Sequence, residues 1–191
     1  MCGRYVLGES DIDVIEARFS AGVKGHHEYH SRYNVAPSDT MPIVVPHEIP
    51  FMHWGYRPAW ADKEVINARI ESLATKPYFR EAKHCLVPAT GFYEWKRDNG
   101  HKVPYFFHLL DNPLFAFAGV YNERGYAIVT TASQGVVADI HTRMPVVLSK
   151  DSEQQWLTDT VAPEAQPLVC HEVGSAVNSP ANDWPELLAH V

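Results

Sequence analysis

Short runs of apolar, aromatic and β-branched residues, separated by glycine, proline, asparagine and aspartate, make up most of the chain. Runs of this kind are typical of strands, and the polar residues between them are typical of turns. Several short strands at this spacing favour a barrel-like or sandwich-like sheet. The pattern predicts strands at residues 42–45, 85–87, 91–95, 104–109, 115–120, 127–131 and 168–173.

Two segments are predicted to be helical. In the first, Ile12, Ile15 and Phe19 recur on one helix face behind Ser10 as a candidate N-cap, which predicts a helix over residues 11–20. The second is predicted over residues 152–157. Few helices beside many strands indicate an α+β fold, with one compact β-rich domain over residues 1–191, a barrel-like sheet and a few flanking helices.

Composition and charge narrow the class of protein. Hydrophobic residues form 46% of the 191 residues, and 14 prolines with 11 glycines suit a loop-rich β globule better than a helical bundle. No stretch approaches the about 20 apolar residues that cross a membrane, and no secretory signal is visible, so a cytoplasmic or nucleoid location is expected. The formal charge of −7 disfavours a protein that coats nucleic acid, but it leaves room for a local basic groove.

The cysteines and histidines predict neither a disulfide nor a metal site. Cys2, Cys85 and Cys170 are odd in number and far apart, so free thiols are expected. The 11 histidines, including those of segment 25–28, lack the paired spacing of metal ligands. We therefore expect no metal and no cofactor.

Cys2 is the first candidate for chemistry. Loss of Met1 would leave a free α-amine beside the thiol, and an α-amine with a pKa of about 7.7–8.0 is partly neutral and nucleophilic near pH 7. Such an amine forms an imine with an aldehyde, and the thiol can then close a five-membered thiazolidine ring; an amide substrate would instead favour attack by the thiolate. The alternative is that Cys2 is an ordinary residue of a frayed terminus.

Polar groups also stand out in three internal regions, each with an ordinary structural alternative. Segments 32–37 and 54–60 combine arginine and tryptophan with stiff loops, which suits base stacking on single strands, or else forms a proline-rich surface loop around a buried tryptophan. If segment 66–72 is extended, Asn67, Arg69 and Glu71 share one face and its apolar residues share the other. This polar face is either a binding face or a solvated ion-pair face.

Two further residues are candidates for proton transfer. Glu94 lies among three aromatic residues, where burial would raise its pKa and make it a general acid near neutral pH, although an exposed glutamate would have the same sequence signature. His141 lies beside Arg143, just before a β-run that begins at Pro145. A lone histidine is often a hydrogen-bonded bystander, so proton transfer by His141 is a hypothesis.

Taken in order, these segments resemble the motifs of the SOS-response-associated peptidase (SRAP) family, which includes proteins that shield abasic sites. The resemblance runs from residue 2 to about residue 180. It implies a compact β-rich α+β domain with a positively lined cleft for single-stranded DNA. The implied reaction is covalent capture of the ring-opened aldehyde of an abasic deoxyribose by Cys2, once Met1 has been removed by an aminopeptidase or by self-cleavage. The matching segments are 1–5, 32–37, 54–55, 67–71, 91–95, 139–145 and 171–178.

The resemblance also implies roles for single residues. Cys2 would supply the amine and the thiol, Asn67 would orient the amine, and Glu94 and His141 would move protons. Family members often carry a second aromatic residue after the equivalent of Trp60, where this chain has Ala61. The implied partner is single-stranded DNA with an abasic site, bound by a monomer with no obligatory protein partner and no membrane. The implied DNA contacts are Arg4, Asn34, Pro37, Trp60, Arg69 and Arg143.

Three other functions remain open at the level of sequence. An amidotransferase with an N-terminal nucleophile would use the Cys2 thiolate against a side-chain amide, and it should hydrolyse glutamine. A noncovalent reader of modified or single-stranded DNA would use its aromatic and arginine residues alone, and it should tolerate Cys2→Ala. A peptidase acting on other polypeptides is the third alternative.

Overall fold

A computed structural model describes residues 2–25, 28–98, 100–111 and 113–191. Met1 and two histidines of the 25–28 segment, His26 and His27, therefore lie outside the described residues. The helical elements are all short. The α-helices are α1 (Ile12–Phe19), α2 (Ile70–Leu73) and α3 (Lys150–Trp156), and 3-10 turns cover Pro77–Phe79, Gly135–Val137, Ser175–Asn178 and Pro185–Leu188.

Strands account for most of the regular structure, and the longest of them follow one another in the middle of the chain. In chain order they are β1 (Tyr5–Leu7), β2 (Gly22–Val23), β3 (Arg32–Val35), β4 (Thr40–Pro42), β5 (Glu48–Ile49), β6 (Phe51–His53), β7 (Asn67–Arg69), β8 (Lys83–Ala89), β9 (Gly91–Asp98), β10 (His101–Leu109), β11 (Phe115–Asn122), β12 (Gly125–Ala132), β13 (Arg143–Pro145), β14 (Val147–Leu148) and β15 (Leu168–Glu172).

Two main sheets are formed. The first is antiparallel with the order β15-β10-β9-β1-β3, and the second has the order β13-β12-β11-β14, with β8 also paired to β11 and β7 running parallel to β12. Two small pairs, β2–β5 and β4–β6, complete the pairing. The predicted α+β class is confirmed, but within the described residues neither sheet closes into a barrel.

The core lies between the two sheets, where aromatic rings from both meet. The ring of Phe92 on β9 stacks on that of Phe107 on β10 at 4.9 Å, and it meets Phe117 on β11 edge-on at 5.9 Å. Because side chains alternate along a strand, Tyr93 points to the other face of the first sheet. There it joins a smaller apolar cluster with the C-terminal residues Val173, Val177 and Leu187. The first sheet is thus covered on both faces, and its β9 strand passes between two apolar layers.

Most predicted elements are confirmed, with differences that have simple causes. The predictions for 85–87, 91–95, 104–109, 115–120, 127–131 and 168–173 fall on β8, β9, β10, β11, β12 and β15. The prediction for 42–45 is wrong over most of its length, because only Pro42 belongs to a strand and Val44 and Val45 make single bridges. None of the helices within the described ranges is long and apolar enough to span a membrane.

The helix boundaries also differ in detail. Helix α1 lies within the predicted range, but its N-cap is Asp11 rather than Ser10, because an Asp11 carboxylate oxygen accepts the hydrogen bond of the Asp13 backbone N–H at 2.9 Å. Helix α3 begins at Lys150, before the predicted residue 152, behind a Ser149 cap. The segment 66–72 is extended only over β7, and the chain then turns into α2.

Candidate active site

Cys2 lies just before β1, which runs through the interior of the first sheet. The backbone N–H of Tyr93 on β9 donates a hydrogen bond to the Arg4 carbonyl oxygen at 3.0 Å, so the two strands are aligned next to Cys2. The Cys2 side chain is fully buried. Burial raises the pKa of its thiol well above the usual range, and the nearby negative charge of Glu94 raises it further. The sulfur is therefore a neutral thiol at pH 7.

Glu94 is the buried carboxyl group beside this thiol. Glu94 lies on β9 and is only 3% exposed. Of the two interpretations of its sequence, a buried carboxyl group or an exposed glutamate, the first is therefore observed. Burial raises its pKa from 4.5 to about 7, because the low-polarity surroundings penalise the charged form. Such a carboxyl group is present in both protonation states near neutral pH, which is the condition for accepting and returning a proton.

His141 faces Glu94 from the loop before β13. Its Nδ1 lies 3.9 Å from the Glu94 Oε1. The same nitrogen is 3.1 Å from the Arg143 backbone N–H, which donates to it in the neutral ring, and 3.0 Å from the Arg143 carbonyl, which accepts from it in the charged ring. Partial burial lowers the pKa of His141, so the neutral ring prevails at pH 7 and is ready to take a proton.

Asn67 contributes an amide from the second sheet. It lies on β7, and its Nδ2 is 3.5 Å from the Ile128 carbonyl oxygen. Its Oδ1 is buried and has no hydrogen-bond partner among the described residues. A buried acceptor without a donor is costly in a native protein, so its presence indicates a donor supplied by a substrate or by another group. Asn67 also faces a cavity of about 410 Å³ that is lined by Val65, Asn67, Arg69, Lys76, Tyr78, Phe79 and Thr130.

Arg143 connects the histidine loop to this cavity. Its guanidinium group donates to both carboxylate oxygens of Glu71 at 2.6 and 3.0 Å and to the Thr130 carbonyl oxygen at 2.7 Å. The hydrogen bonds from Arg143 lower the pKa of Glu71, which is half exposed on α2. Arg143 is therefore held in one orientation by an anion of the protein itself, two residues after His141.

Arg4 and Asn34 lie together on the other face of the first sheet. The Arg4 Nη1 donates to Asn34 Oδ1 at 2.7 Å and to the Val177 carbonyl oxygen at 2.8 Å. Asn34 is fully buried, and its Nδ2 donates to carbonyl oxygens of the C-terminal segment 177–182. Both residues anchor that segment to β1 and β3, and contact between either residue and DNA stays a prediction.

The other predicted DNA contacts are solvent-exposed. Trp60 is 65% exposed, and its ring meets that of Tyr78 edge-on at 5.5 Å, next to the cavity that Tyr78 and Asn67 line. Arg69 is exposed and lines the same cavity, whereas Pro37 lies in an exposed turn after β3. Within the described ranges, no three histidine, cysteine, aspartate or glutamate side chains come together to hold a metal ion.

Nearly the whole chain matches one known protein family. Residues 1–180 match the family described as SOS response associated peptidase (SRAP). The chain belongs to this family. The SRAP resemblance drawn from the sequence motifs is thereby confirmed over nearly the whole chain.

Curated SRAP relatives and solved structures extend the match. The abasic site processing protein YoqW of Bacillus subtilis is 37% identical over 98% of this chain and 99% of its own length. The abasic site processing protein YedK of Escherichia coli is 30% identical over the whole of both chains. A crystal structure of a Bacteroides thetaiotaomicron protein superposes with a TM-score of 0.83 over the whole of both chains at 23% identity, which supports the fold.

Several residues of this SRAP site are not predicted by the sequence pattern. Lys76, Tyr78 and Thr130 line the Asn67 cavity together with predicted residues. Lys76 and Tyr78 lie close to a predicted motif along the chain, but nothing in their own pattern indicates a shared cavity. Thr130 is brought to the site only by the pairing of β12 with β7 and β13. That pairing joins segments that are far apart in sequence.

Proposed function

We propose that this protein senses and shields abasic sites in single-stranded DNA by forming a covalent thiazolidine crosslink through Cys2, after Met1 has been removed. The names of the SRAP relatives as abasic site processing proteins support the substrate. The residues around Cys2 support the crosslinking step.

The observation that carries the proposal is the buried Glu94 carboxyl group beside the Cys2 thiol, with a pKa raised to about 7 and His141 at 3.9 Å. A carboxyl group with a pKa of about 7 and a histidine whose lowered pKa keeps its ring neutral at pH 7 are suited to shuttling protons during imine formation. A site built for hydrolysis by a thiolate would instead favour a lowered thiol pKa, whereas burial raises the pKa of Cys2.

The chemistry balances without a cofactor. The neutral amine of Cys2 attacks the C1′ aldehyde of the ring-opened sugar, and the resulting carbinolamine loses one water molecule to give an imine. The thiol then adds to the imine carbon, and its proton passes to the nitrogen, which closes the thiazolidine ring. Glu94 protonates the departing hydroxyl group and His141 takes the proton released by the amine. The assignment of these two steps to these two groups is part of the proposal.

The free Oδ1 of Asn67 supports a positioning role. As an acceptor without a donor among the described residues, it is available to the N–H of the Cys2 amine. Holding the amine in one orientation directs its lone pair toward the aldehyde carbon, which lowers the entropic cost of the first step.

Cations and one aromatic ring would hold the strand. Arg69 and Arg143 flank the Asn67 cavity and its neighbouring loop, and a guanidinium fork fits two oxygens of a phosphate. The exposed Trp60 offers a face on which a base can stack. Arg4 and Pro37 complete the proposed DNA-binding set, and the buried Asn34 contributes by holding the Arg4 guanidinium group in place.

The proposed function also requires a free N-terminal Cys2 and access to DNA. Met1 is removed by an aminopeptidase or by the protein itself, since an acylated nitrogen cannot form the imine. Reversal of the trap, or elimination of the strand at the imine stage, would be lyase-like. The protein acts as a monomer in the cytoplasm or nucleoid, where the DNA substrate is found.

The test is a denaturing gel of Met1-processed protein with single-stranded DNA that carries one abasic site. Wild type and Cys170→Ala should give a heat-stable shifted band, while Cys2→Ala should give none and Cys2→Ser at most a weaker one. DNA with all bases intact is the substrate control. Absence of a band with wild type, after mass spectrometry has confirmed loss of Met1, would refute the covalent mechanism.

A further inference from the structure

A second basic cleft lies outside the catalytic groups. It has a volume of about 370 Å³ and is lined by Arg4, Trp95, Lys102 and Asn178, and we call it the hairpin cleft because Trp95 and Lys102 belong to the β9–β10 hairpin. Strand alternation directs the Trp95 side chain to the face of the sheet opposite that of Glu94. The described residues that line the cleft include no carboxylate. The cleft is therefore a separate, cationic site.

The register of the hairpin adds a third cation. Lys102 is directly opposite Arg97, so their side chains leave the same face of the sheet. Like charges directly opposite each other destabilise a sheet, and an anion bound between them removes that cost. The whole chain carries a formal charge of −7, so a local cluster of positive charges differs in sign from the net charge of the protein.

The wall of the hairpin cleft is rigid before any ligand binds. Trp95 Nε1 donates to Asn178 Oδ1 at 2.7 Å, and the Arg4 guanidinium carbon lies 5.8 Å from the centre of the Trp95 ring. The Arg4 Nη1 is committed to Asn34 and Val177, whereas its Nε is buried and has no hydrogen-bond partner among the described residues. The Trp95 ring is thus held in place beside the Arg4 Nε–H, a donor without an acceptor. Such an arrangement is typical of a preorganised anion site.

One cation of the hairpin lies near the histidine of the proposed catalytic site. Arg97 lies close enough to His141 to contribute to the lowered pKa of that ring. A strand bound at His141 would therefore have Arg97 of the hairpin close to it, and because phosphates recur along the backbone, one strand would reach both regions.

We infer that the hairpin cleft binds a backbone phosphate of the DNA strand that continues away from the reacting sugar, with Arg4, Arg97 and Lys102 as the cations. This inference rests on the proposed function, since it takes single-stranded DNA as the ligand. It adds a second point of attachment on the opposite face of the first sheet. The cleft then favours longer strands over short ones, without contacting the reacting atoms.

The test measures noncovalent binding of undamaged oligothymidylates as a function of salt. One strand just spans the catalytic cavity and another is several times longer. The variants are Arg97→Gln, Lys102→Gln and the double substitution, and Lys83→Gln, an exposed lysine of β8, is the matched control for the loss of one charge. Melting temperatures of all variants, with inorganic phosphate or with chloride at equal ionic strength, check folding and test free phosphate as a competing ligand.

We expect the slope of log affinity against log salt for the long strand to fall by about 0.7 for each phosphate that the variant no longer neutralises. The decrease in affinity should be larger for the long strand than for the short one. Slopes equal to those of Lys83→Gln would overturn the inference. A phosphate-specific rise in melting temperature that is absent from the variants, with unchanged slopes for DNA, would also overturn it, because the cleft would then bind a free anion.

These outcomes are separate from those of the proposed function. The crosslinking gel with wild-type protein decides whether Cys2 traps abasic DNA, and it uses none of the hairpin variants. A failed crosslink, together with slopes that fall in the hairpin variants as expected, would refute the covalent chemistry and keep the hairpin cleft as a site for single strands.

Discussion

Replacing Glu94 by glutamine should make the protein more stable at alkaline pH while it slows the reaction. Burial raises the pKa of Glu94 from 4.5 to about 7. Each tenfold change in an acid constant corresponds to about 1.4 kcal/mol, so ionised Glu94 costs the folded state about 3 kcal/mol. Glu94 is 3% exposed, and solvent therefore screens little of this cost. Glutamine has a similar shape and never ionises.

The sign and the pH range follow from proton binding. Above pH 4.5 the carboxyl group ionises in the unfolded chain, while the folded protein keeps the proton until about pH 7. The folded state thus binds more protons in this window, and the contribution of Glu94 to stability falls as the pH rises through it. From about pH 5.5 to about pH 8.5, the stability of Glu94→Gln relative to wild type should increase by about 2 kcal/mol.

Urea unfolding at the two pH values, followed by tryptophan fluorescence, measures this difference. In thermal unfolding it corresponds to a change of about 4–8 °C for a chain of this length. Glu81→Gln, which removes an exposed carboxylate, is the control for loss of charge. A relative stability of Glu94→Gln that stays constant between the two pH values would refute the raised pKa. An unchanged crosslinking rate in the same variant would refute the role of Glu94 in proton transfer.

Three further predictions concern other parts of the molecule. Glu71→Gln should release the guanidinium group of Arg143 and tighten binding of single-stranded DNA by about two- to fivefold at low salt, as measured by fluorescence anisotropy; weaker binding would contradict the proposed phosphate contact. Trp156→Phe should lower the free energy of unfolding by about 2–4 kcal/mol in urea, because the fully buried indole N–H donates to two backbone carbonyl oxygens that would be left without their donor. Gly125→Ala should cost about 3 kcal/mol, since a Cβ there would lie 2.5 Å from the Gly55 carbonyl oxygen, and a melting temperature equal to that of wild type would disprove this close approach.

The longer strands of the fold are predictable because their sequences carry the signal locally. β11 is a nearly continuous apolar run that is buried on both faces, and β9, β10 and β12 are long and separated by turns. β1 is not predictable in this way, since three residues are too few to show a period. Its place in the sheet depends on pairing with β9 and β3, whose residues are remote in sequence.

The same distinction applies to the candidate site. The burial of Glu94 is foreseeable from its aromatic neighbours, but the approach of His141 to it depends on a loop from a distant part of the chain. The pairing of Glu71 with Arg143 is not foreseeable from an extended segment, because α2 begins just after Arg69 and turns Glu71 toward β13. Local composition thus indicates which residues are unusual, and the tertiary fold decides which of them meet.

Cys2 lies just before an interior strand, so the number of residues between Cys2 and Tyr5 determines where the Cys2 side chain lies. Tyr5 is held in register with Phe92 on one side and Val35 on the other, so the residues before it are counted from a fixed point. One residue inserted between Cys2 and Tyr5 would turn the new end of the chain to the opposite face of the sheet, away from Glu94. The segment that carries Cys2 can therefore tolerate changes of side chain more readily than a change of length. If Cys2 has the proposed role, related proteins should conserve this spacing even where the intervening residues vary.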